Sequence, residues 1–367
     1  MEQVVVAQVV HSLEVGGMER VASHLAMNMS AAYRPIVVCL TVKGDFAPML
    51  EEAGIEVVAL DKQPGRDLTL PRRLARVFAD RHVGIVHVHN SGPMFTGTCA
   101  GKLAGVKGIV VTDHSRKFPE RRSVVITEYV LSRLVNAIVS VSDDNKRDLI
   151  EKMLWPARKI TVIANGVAPV PEVTAAKRAE LREEFGLRED EPVVLTVARL
   201  EPQKNLAVLV EAARRVRDRG VAGRFIVAGE GSERPKLEKL IAEYDLADRV
   251  TLAGWRLDSL SLYGIASVMA LSSDWEGLPM SILEAMSAGL PVVSPGVGDV
   301  PKAVVNGENG FLIPPQNPDE LAEALAGLLT DANQRAAFGE AGRSVWAARY
   351  SVGHMMGEYE AIYERFH

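Results

Sequence analysis

The stretch that decides the fold runs from Val268 to Ser294 and reads VMALSSDWEGLPMSILEAMSAGLPVVS. It opens with the short apolar run Val268–Leu271 and closes with a second one, Pro291–Ser294. Between them, Pro279 is typical of the first turn of a helix and Gly289 of the residue just past a helix end, which predicts a helix of about ten residues. A strand, a helix and a strand in this order form a βαβ unit of a parallel sheet.

The same alternation of short apolar runs and longer helical stretches continues along the whole chain. Near-continuous apolar runs indicate strands that are buried on both faces of a parallel sheet. We predict seven strands in the first half, at Val4–Val10, Ile36–Val42, Val57–Leu60, Ile85–His89, Ile109–Thr112, Ile138–Val141 and Ile160–Ile163. We predict six more in the second half, at Val193–Val197, Arg224–Ala228, Val250–Leu252, Val268–Leu271, Pro291–Ser294 and Phe311–Ile313.

The turn-forming residues Asn165–Pro171 separate the two series of strands. We therefore predict an α/β protein with two Rossmann-like, doubly wound domains, residues 1–168 and 169–347, followed by a helical segment, residues 348–367. In such sheets, ligands bind at the carboxyl ends of the strands, where the strand order reverses.

Composition limits the kind of protein. The chain has 367 residues, of which 47% are hydrophobic and 24% charged, as in ordinary globular proteins. Two cysteines, Cys39 and Cys99, cannot build a disulfide framework, and Met1 leads into an apolar strand without a basic leader, so we expect a cytoplasmic protein. The net charge of −5 argues against nucleic-acid binding.

Two cations follow the first strand of the second domain. Arg199 and Lys204 lie in one loop, just before the helix that begins near Asn205. Cations at a helix N-terminus oppose the helix dipole, and a bound diphosphate would remove this penalty. A solvated surface pair remains the alternative.

The stretch quoted first contains two carboxylates in an apolar setting. Glu284 is the one charged residue of the predicted helix, where an unpaired carboxylate is costly, so we expect it to accept hydrogen bonds from the hydroxyls of a ribose. An interdomain salt bridge is the alternative. Glu276 precedes the helix and could receive hydroxyls of a sugar. We expect the backbone of Gly277, Leu278, Pro279 and Met280 to face the same ligand, with an N–H donor at each of these residues except the proline.

Glycines follow several other strands. Gly16 and Gly17 precede a helix after the first strand, an arrangement that suits a phosphate but also an ordinary tight turn. Gly229 and the corner Gly254-Trp255-Arg256 would allow a planar group to approach the backbone closely, although turn glycines explain both equally well. Gly229, Trp255 and Arg256 are candidate donor-binding residues.

Histidines end two strands of the first domain. His87 and His89 share a face of their strand, but without a third ligand nearby in sequence, packing or contact with a substrate is a better interpretation than a metal pair. His114 follows Asp113 at the next strand end and is a candidate for contact with the donor sugar or the acceptor, with a structural histidine as the alternative.

Together, Gly16-Gly17, His114, Arg199 with Lys204, and Glu276-x7-Glu284 resemble the retaining glycosyltransferases of family four, in order and over essentially the whole chain. The resemblance implies the two-Rossmann GT-B fold, with the last helix crossing back onto the first domain. It implies that Arg199 and Lys204 hold the donor diphosphate, that Glu284 binds ribose, that Glu276 contacts the transferred sugar, and that His114 lies beside the anomeric carbon.

The resemblance implies a retaining hexosyltransferase that uses a nucleotide diphosphate sugar as co-substrate, with UDP-sugars favoured and GDP-mannose as the alternative donor. We expect no cofactor and no metal, because Asp143-Asp144 is adjacent rather than Asp-x-Asp. A nucleotide-sugar 2-epimerase of the same fold and a catalytically silent sugar-nucleotide-binding partner are the competing interpretations.

The charge distribution bears on the acceptor. Residues 1–168 carry a net charge of about +4 and the remainder about −9. The positive charge is concentrated in a predicted helix with Arg72, Arg73 and Arg76 and in the loop Arg116–Arg122, which includes Arg121 and Arg122. We expect a glycan or lipid-linked acceptor, with His89, Arg121 and Arg122 on its side of the site, and reversible contact with an anionic membrane at its inner face.

Overall fold

The computed structural model describes residues 3–14, 16–65, 67–114 and 119–367. The chain forms two compact units. Unit 1 comprises Met1–Val167 together with Val352–His367, and unit 2 comprises Ala168–Ser351.

Unit 1 is built around a seven-stranded parallel sheet with the strand order β3-β2-β1-β4-β5-β6-β7. Its strands are β1 (Val4–Val10), β2 (Tyr33–Cys39), β3 (Glu56–Ala59), β4 (Val83–His89), β5 (Gly108–Asp113), β6 (Ala137–Ser140) and β7 (Ile160–Val162). Its first six helices are α1 (Gly17–Met27), α2 (Ala47–Glu52), α3 (Leu70–Asp80), α4 (Ser91–Ala104), α5 (Arg122–Leu134) and α6 (Asp143–Glu151).

Unit 2 is built around a six-stranded parallel sheet with the strand order β10-β9-β8-β11-β12-β13. Its strands are β8 (Val193–Val197), β9 (Arg224–Ala228), β10 (Val250–Gly254), β11 (Val268–Ala270), β12 (Val292–Pro295) and β13 (Gly310–Ile313). Its helices are α7 (Ala175–Glu184), α8 (Leu206–Asp218), α9 (Arg234–Glu243), α10 (Ser259–Leu262), α11 (Met280–Ser287), α12 (Val300–Ala303), α13 (Pro318–Thr330) and α14 (Ala332–Arg349). The chain then returns to unit 1 with α15 (Val352–Tyr363).

Both faces of the first sheet are buried, as the near-continuous apolar runs predict. Val86 and Val88 of β4 belong to a core that includes side chains from α3, α4 and α5. The opposite face of the sheet packs against α1 and α2, through residues such as Val37 and Ala22. Because side chains alternate along a strand, His87 and His89 lie on the face opposite to Val86 and Val88.

The α/β fold with two parallel sheets is confirmed. One detail of the helix in the opening stretch differs from the prediction. Pro279 is the N-cap residue of α11, with ψ of 131°, rather than its first helical residue, and the helix has eight residues. Gly289 follows the C-cap with φ of +74°, a left-handed conformation that favours glycine.

The last helix, α15, contributes two buried aromatic residues to unit 1. Tyr359 and Tyr363 are almost fully buried, and the ring of Tyr363 packs edge-on against Tyr33 with centroids 5.7 Å apart. Both hydroxyls enter a polar cluster on the sheet that is described below. None of the helices in the described residues is long and apolar enough to cross a membrane.

Two glycines within helices of unit 2 differ in the space around their Cβ positions, so substitution by alanine should have opposite effects on stability at the two sites. A Cβ at Gly339 in α14 would lie 1.9 Å from the carbonyl oxygen of Gly289, so Gly339→Ala should lower the free energy of unfolding by about 1–3 kcal/mol through overpacking. Gly327 in α13 has open space around its Cβ position, so Gly327→Ala should raise this free energy by about 0.5–1 kcal/mol.

Urea denaturation of the two variants measures both effects. A Gly339→Ala protein as stable as the wild type would contradict the close packing of α14 on the end of α11.

Candidate active site

An ion pair joins the loops that follow β8 and β11 in unit 2. The Nζ atom of Lys204 lies 2.5 Å from Oε1 of Glu276, and both side chains are largely buried, at 15% and 7% exposure. β8 and β11 are neighbours at the point where the strand order of the sheet reverses. The pair therefore lies where ligands bind in sheets of this type.

Further hydrogen bonds hold the two loops in register. The Gln203 amide donates to the carbonyl oxygen of Trp275 at 2.9 Å, and Asn205 Nδ2 donates to Asp274 Oδ1 at 2.9 Å. The Ser272 hydroxyl donates to the carbonyl oxygen of Lys204 at 2.9 Å. Residues next to Lys204 in one loop are thus hydrogen-bonded to residues next to Glu276 in the other, which holds the two loops together.

Arg199 lies in the same loop but differs from Lys204. It is exposed, and the structure records no hydrogen bond or ion pair of its guanidinium with any described residue. An ammonium group has three donors, of which Glu276 occupies one. The loop therefore presents one uncompensated cation, Arg199, beside a lysine whose charge is already balanced.

The N-terminus of α11 lies next to this pair. No side chain caps the helix at Pro279, and a Cβ at Gly277 would meet no atom within 4 Å, so the backbone here is approachable. Leu278 and Met280 flank Pro279 and are partly buried. Free N–H groups at a helix N-terminus favour an anion.

Glu284 is buried in α11, as the apolar sequence around it predicts. Its Oε2 atom accepts a hydrogen bond from the Tyr263 hydroxyl at 2.7 Å, so a residue of unit 2 provides a donor to the carboxylate. Sequence reasoning missed Tyr263, because a tyrosine 21 positions earlier carries no signal of its contact with α11.

The glycine corners have a structural reason that differs from the predicted one. A Cβ at Gly229 would lie 1.9 Å from the carbonyl oxygen of Ala198, and one at Gly231 would lie 2.4 Å from that of Leu200. Both glycines therefore admit the backbone of the neighbouring β8 loop. Trp255 is exposed at the end of β10.

The guanidinium of Arg256 faces carboxylates of its own unit. It pairs with Asp258 at 2.8 Å and with Glu184, and these two partners raise its pKa. The expectation that Arg256 contacts the donor does not follow from its position here, since two carboxylates already neutralise it.

The histidines of unit 1 belong to one buried polar cluster. His87 contacts the Tyr363 hydroxyl through Nδ1 and the Thr112 hydroxyl through Nε2, each at 2.7 Å. His89 contacts Gln8 Oε1 through Nε2 at 2.7 Å and His114 Nε2 through Nδ1 at 3.0 Å. Both nitrogens of each strand histidine therefore have protein partners.

His89 was expected on the acceptor side, and the structure corrects this. The side chain has no exposed surface and both its ring nitrogens have protein partners, so His89 has no free polar atom for an acceptor. It instead stacks on His114, with ring centroids 5.3 Å apart. Gln8 was missed, although the sequence held a signal: it is the one polar residue in the apolar strand VVVAQVV, and a buried amide needs partners.

His114 is half-buried at the end of β5. Its backbone N–H donates to Asn90 Oδ1 at 2.8 Å, which ties the ends of β4 and β5 together. Its ring Nδ1 is buried and has no hydrogen-bond partner among the described residues. Burial lowers the pKa of His114 to about 4 and that of His87 to about 3, so both rings are neutral near pH 7.

The N-terminus of α1 holds an acidic side chain. A Cβ at Gly16 would lie 2.1 Å from Oε2 of Glu19, and burial raises the pKa of that carboxyl. A phosphate that approached Gly16 and Gly17 would therefore meet Glu19. Val15, just before them, lies outside the described residues.

The basic residues of unit 1 are only partly described. Arg121 and Arg122 are exposed at the start of α5, whereas Arg116 and Lys117 lie outside the described residues. Arg73 in α3 is paired with Asp67 at 3.2 Å. The apolar face of α3, with Leu74 and Phe78, is buried in the core and is not available to a partner.

Within residues 3–14, 16–65, 67–114 and 119–367, no group of three or more histidine, cysteine, aspartate or glutamate side chains is arranged to hold a metal ion. His87 and His89 have the partners given above.

The buried histidines predict a dependence of stability on pH. Burial lowers the pKa values of His87, His89 and His114 below their ordinary value of 6.5, so below that pH the unfolded chain binds more protons than the folded one. The free energy of unfolding should therefore fall as the pH drops from 7 to 5, by about 1.4 kcal/mol per pH unit for each histidine once the pH is below 6.5.

Urea denaturation at pH 7, 6 and 5 measures this loss. His87→Gln should reduce the slope of the free energy of unfolding against pH by about 1.4 kcal/mol per pH unit, the contribution of one proton. A free energy of unfolding that is constant over this range would contradict the burial of the three neutral rings.

Two family models match the chain in succession. Residues 15–170 match the model described as Glycosyltransferase Family 4, and residues 177–345 match the one described as Glycosyl transferases group 1. The first covers most of unit 1 and the second most of unit 2.

Known proteins of this kind are similar in sequence and in fold. The alpha-D-kanosaminyltransferase of Streptomyces kanamyceticus is 33% identical over 257 residues, 69% of this chain and 64% of the relative. The UDP-Gal:alpha-D-GlcNAc-diphosphoundecaprenol alpha-1,3-galactosyltransferase of Escherichia coli is 31% identical over 257 residues, 67% of this chain and 66% of the relative. The chain thus spans slightly less than two thirds of each of these two relatives.

Among solved structures, that of Anabaena Alr3699/HepE in complex with UDP superimposes with a TM-score of 0.85 at 22% identity, covering 99% of this chain and 100% of the other. With the two family matches in order along the sequence, and a parallel sheet in each unit, the chain belongs to the family 4 type of glycosyltransferases with the GT-B fold.

Proposed function

We propose that this protein transfers a hexose-type sugar from a nucleotide diphosphate sugar to a glycan, lipid-linked or small-molecule acceptor, with retention of the anomeric configuration. UDP-sugars are the favoured donors, and GDP-mannose is the alternative. The observation that carries the proposal is the cluster at the switch point of the unit 2 sheet, where Arg199, the Lys204–Glu276 pair and the N-terminus of α11 lie on adjoining loops.

The chemistry follows from the charge of the leaving group. Departure of a nucleoside diphosphate develops negative charge on the β-phosphate, which preorganised donors stabilise. Arg199 supplies a planar fork for two phosphate oxygens, and Lys204 supplies a point charge held in place by Glu276. Arg199, the ammonium group of Lys204 and the free N–H groups at the N-terminus of α11 together stabilise the diphosphate, so we expect the reaction to proceed without a divalent metal.

The two carboxylates have different tasks in this proposal. Glu276 lies on the loop with Gly277 and receives hydroxyls of the transferred sugar, while its second role is to hold Lys204. Glu284, buried beside Tyr263, accepts hydrogen bonds from the ribose. The E. coli relative named for UDP-Gal and the Anabaena structure with UDP support UDP as the favoured nucleotide of the donor.

The experiment is a transfer assay with a panel of UDP-, GDP-, ADP- and TDP-sugars in EDTA. We expect one donor class to be consumed in an acceptor-dependent reaction and proton NMR to find the donor's anomeric configuration in the product. Arg199→Ala should lower kcat/KM by about tenfold to a hundredfold, because it removes a charge-assisted contact to the leaving group. Arg219→Ala, at the opposite end of α8, is the matched control and should leave kcat/KM unchanged.

Several outcomes would contradict parts of the proposal. An inverted product would remove retention, and loss of activity in EDTA would remove metal independence. Epimerised nucleotide sugar formed without an acceptor would favour the 2-epimerase, and no turnover with any donor would favour the silent binding partner. In calorimetry, Glu284→Gln should weaken binding of the free nucleotide and Glu276→Gln should not; the reverse pattern would exchange their roles.

The acceptor side of the proposal includes reversible contact with an anionic membrane. α5 carries an exposed apolar stripe, Ile126, Val130 and Leu134, whose side chains are 65%, 51% and 46% exposed and lie one helical turn apart. Exposed apolar residues in such a row are typical of interaction sites rather than of a solvated helix face.

A cation lies at each end of α5. Arg122 begins α5, and Lys159 caps its C-terminal end, with Nζ 2.7 Å from the carbonyl oxygen of Arg133 and 2.6 Å from that of Val135. An apolar row edged by cations is complementary to an anionic lipid surface. The E. coli relative named for a diphosphoundecaprenol acceptor supports a lipid-linked acceptor.

Sedimentation with vesicles tests the membrane contact. The wild type should bind anionic vesicles more strongly than neutral ones and lose this binding at high salt. A double substitution, Ile126→Ser with Val130→Ser, should reduce binding, as should Arg121→Gln with Arg122→Gln. Leu257→Ser changes an exposed leucine of unit 2 and serves as the control. Equal binding to both vesicle types, insensitive to salt, would leave a soluble acceptor as the better answer.

A further inference from the structure

Gln8 and His89 lie on neighbouring strands at the point where the order of the unit 1 sheet reverses. Gln8 is on β1 and His89 on β4, and the two strands are paired in parallel. Neither side chain has exposed surface. Two hydrogen bonds form a row that leads from the sheet to His114: Gln8 Oε1 to His89 Nε2, and His89 Nδ1 to His114 Nε2.

The contacts of the Gln8 amide determine which atom is the donor in each hydrogen bond of this row. Its Oε1 atom lies 2.7 Å from His89 Nε2, and its Nε2 atom donates to the Tyr363 hydroxyl. A ring nitrogen that faces a carbonyl oxygen must carry the proton, so His89 donates from Nε2. Burial and the adjacent His87 and His114 keep the pKa of His89 well below its ordinary value, so the ring is neutral and Nδ1 is an acceptor.

His114 therefore donates from Nε2 to His89 Nδ1 at 3.0 Å. Because its ring is neutral as well, its proton is on Nε2 and its Nδ1 atom carries a lone pair. Reversal of the Gln8 amide would invert every bond in the row and leave a buried N–H at His114 Nδ1 instead. A buried donor without a partner is rarer than a buried acceptor, which favours the first arrangement.

The row of hydrogen bonds ends at the lone pair on His114 Nδ1. It is buried and has no partner among the described residues, although the ring as a whole is only half-buried. An unsatisfied buried acceptor costs about 1–3 kcal/mol, which a hydrogen-bond donor would recover. A hydroxyl group is the donor that a sugar substrate supplies.

We propose that Gln8 and His89 are positioning residues that hold His114 in the tautomer protonated on Nε2, so that His114 Nδ1 accepts a hydrogen bond from a hydroxyl of a sugar substrate. This inference rests on the proposed function for the identity of the ligand. The tautomer itself is a property of the free protein and is tested separately.

The first test is the nitrogen NMR spectrum of the protein labelled with ¹⁵N-histidine, with His114 assigned from the signals that His114→Gln removes. We expect Nε2 of His114 to be protonated and Nδ1 to be unprotonated. In Gln8→Met, which has a similar volume but no acceptor for His89, the preference should weaken or invert. A proton on Nδ1 of His114 in the wild type would overturn the proposal, whether or not any transfer activity is found.

The second test is kinetic and uses the donor found in the transfer assay. Gln8→Met and His89→Leu should each lower kcat/KM by about tenfold, the loss of one buried hydrogen bond to the substrate. His89→Asn, whose Oδ1 can take the place of Nδ1 as acceptor for His114, should restore most of the activity. Tyr359→Phe is the matched control, because it removes a buried hydroxyl that contacts Thr112 at 3.1 Å and has no contact with Gln8, His89 or His114.

The outcomes separate a positioning role from a structural one. If Tyr359→Phe lowers the melting temperature as much as Gln8→Met but leaves kcat/KM unchanged, the kinetic loss in Gln8→Met belongs to His114. If Gln8→Met and Tyr359→Phe have the same kcat/KM, or if His89→Asn is as inactive as His89→Leu, then the row serves stability alone and the proposal fails. If no donor is turned over, the proposed function fails, and the NMR result still decides the tautomer.

Discussion

The ion pair between Lys204 and Glu276 is the interaction on which the candidate site of unit 2 depends. The two residues are 72 positions apart, yet they meet because β8 and β11 are adjacent strands whose carboxyl ends open at the same edge of the sheet. Both side chains are largely buried, so removal of either would leave an uncompensated charge in a poorly solvated place. The pair thereby sets the distance between the β8 loop, which carries Arg199, and the loop that leads into α11.

The same constraint operates in unit 1 with a different chemistry. There β1 and β4 are adjacent at the reversal of strand order, and the contact across them is a neutral one, Gln8 to His89. Burial keeps the histidine rings uncharged, so the tautomer of each ring, and not a charge, decides which nitrogen donates and which accepts. Each unit thus has a buried polar contact at the switch point of its sheet, where a parallel sheet leaves room for a ligand.

Some residues for which the sequence predicted contact with a ligand have contacts within unit 2 instead. Gly229 admits the backbone of the β8 loop, and Arg256 is neutralised by Asp258 and Glu184. In α5, Ile126, Val130 and Leu134 are exposed, a property that no pattern in the sequence had indicated.

The sequence by itself determined the fold class, all thirteen strands to within three residues at their ends, and the position of the carboxylates and cations at strand ends, because these depend on local periodicity and on turn chemistry. It also indicated that Glu284 would be buried. Only the tertiary structure decided the partners: Tyr263 for Glu284, Gln8 for His89, Glu276 for Lys204, and Glu19 beside Gly16. The reason is physical. The periodicity of apolar residues in the sequence indicates which positions tend to be buried, whereas a hydrogen-bond partner is set by which strands lie side by side, and that order is a property of the assembled sheet.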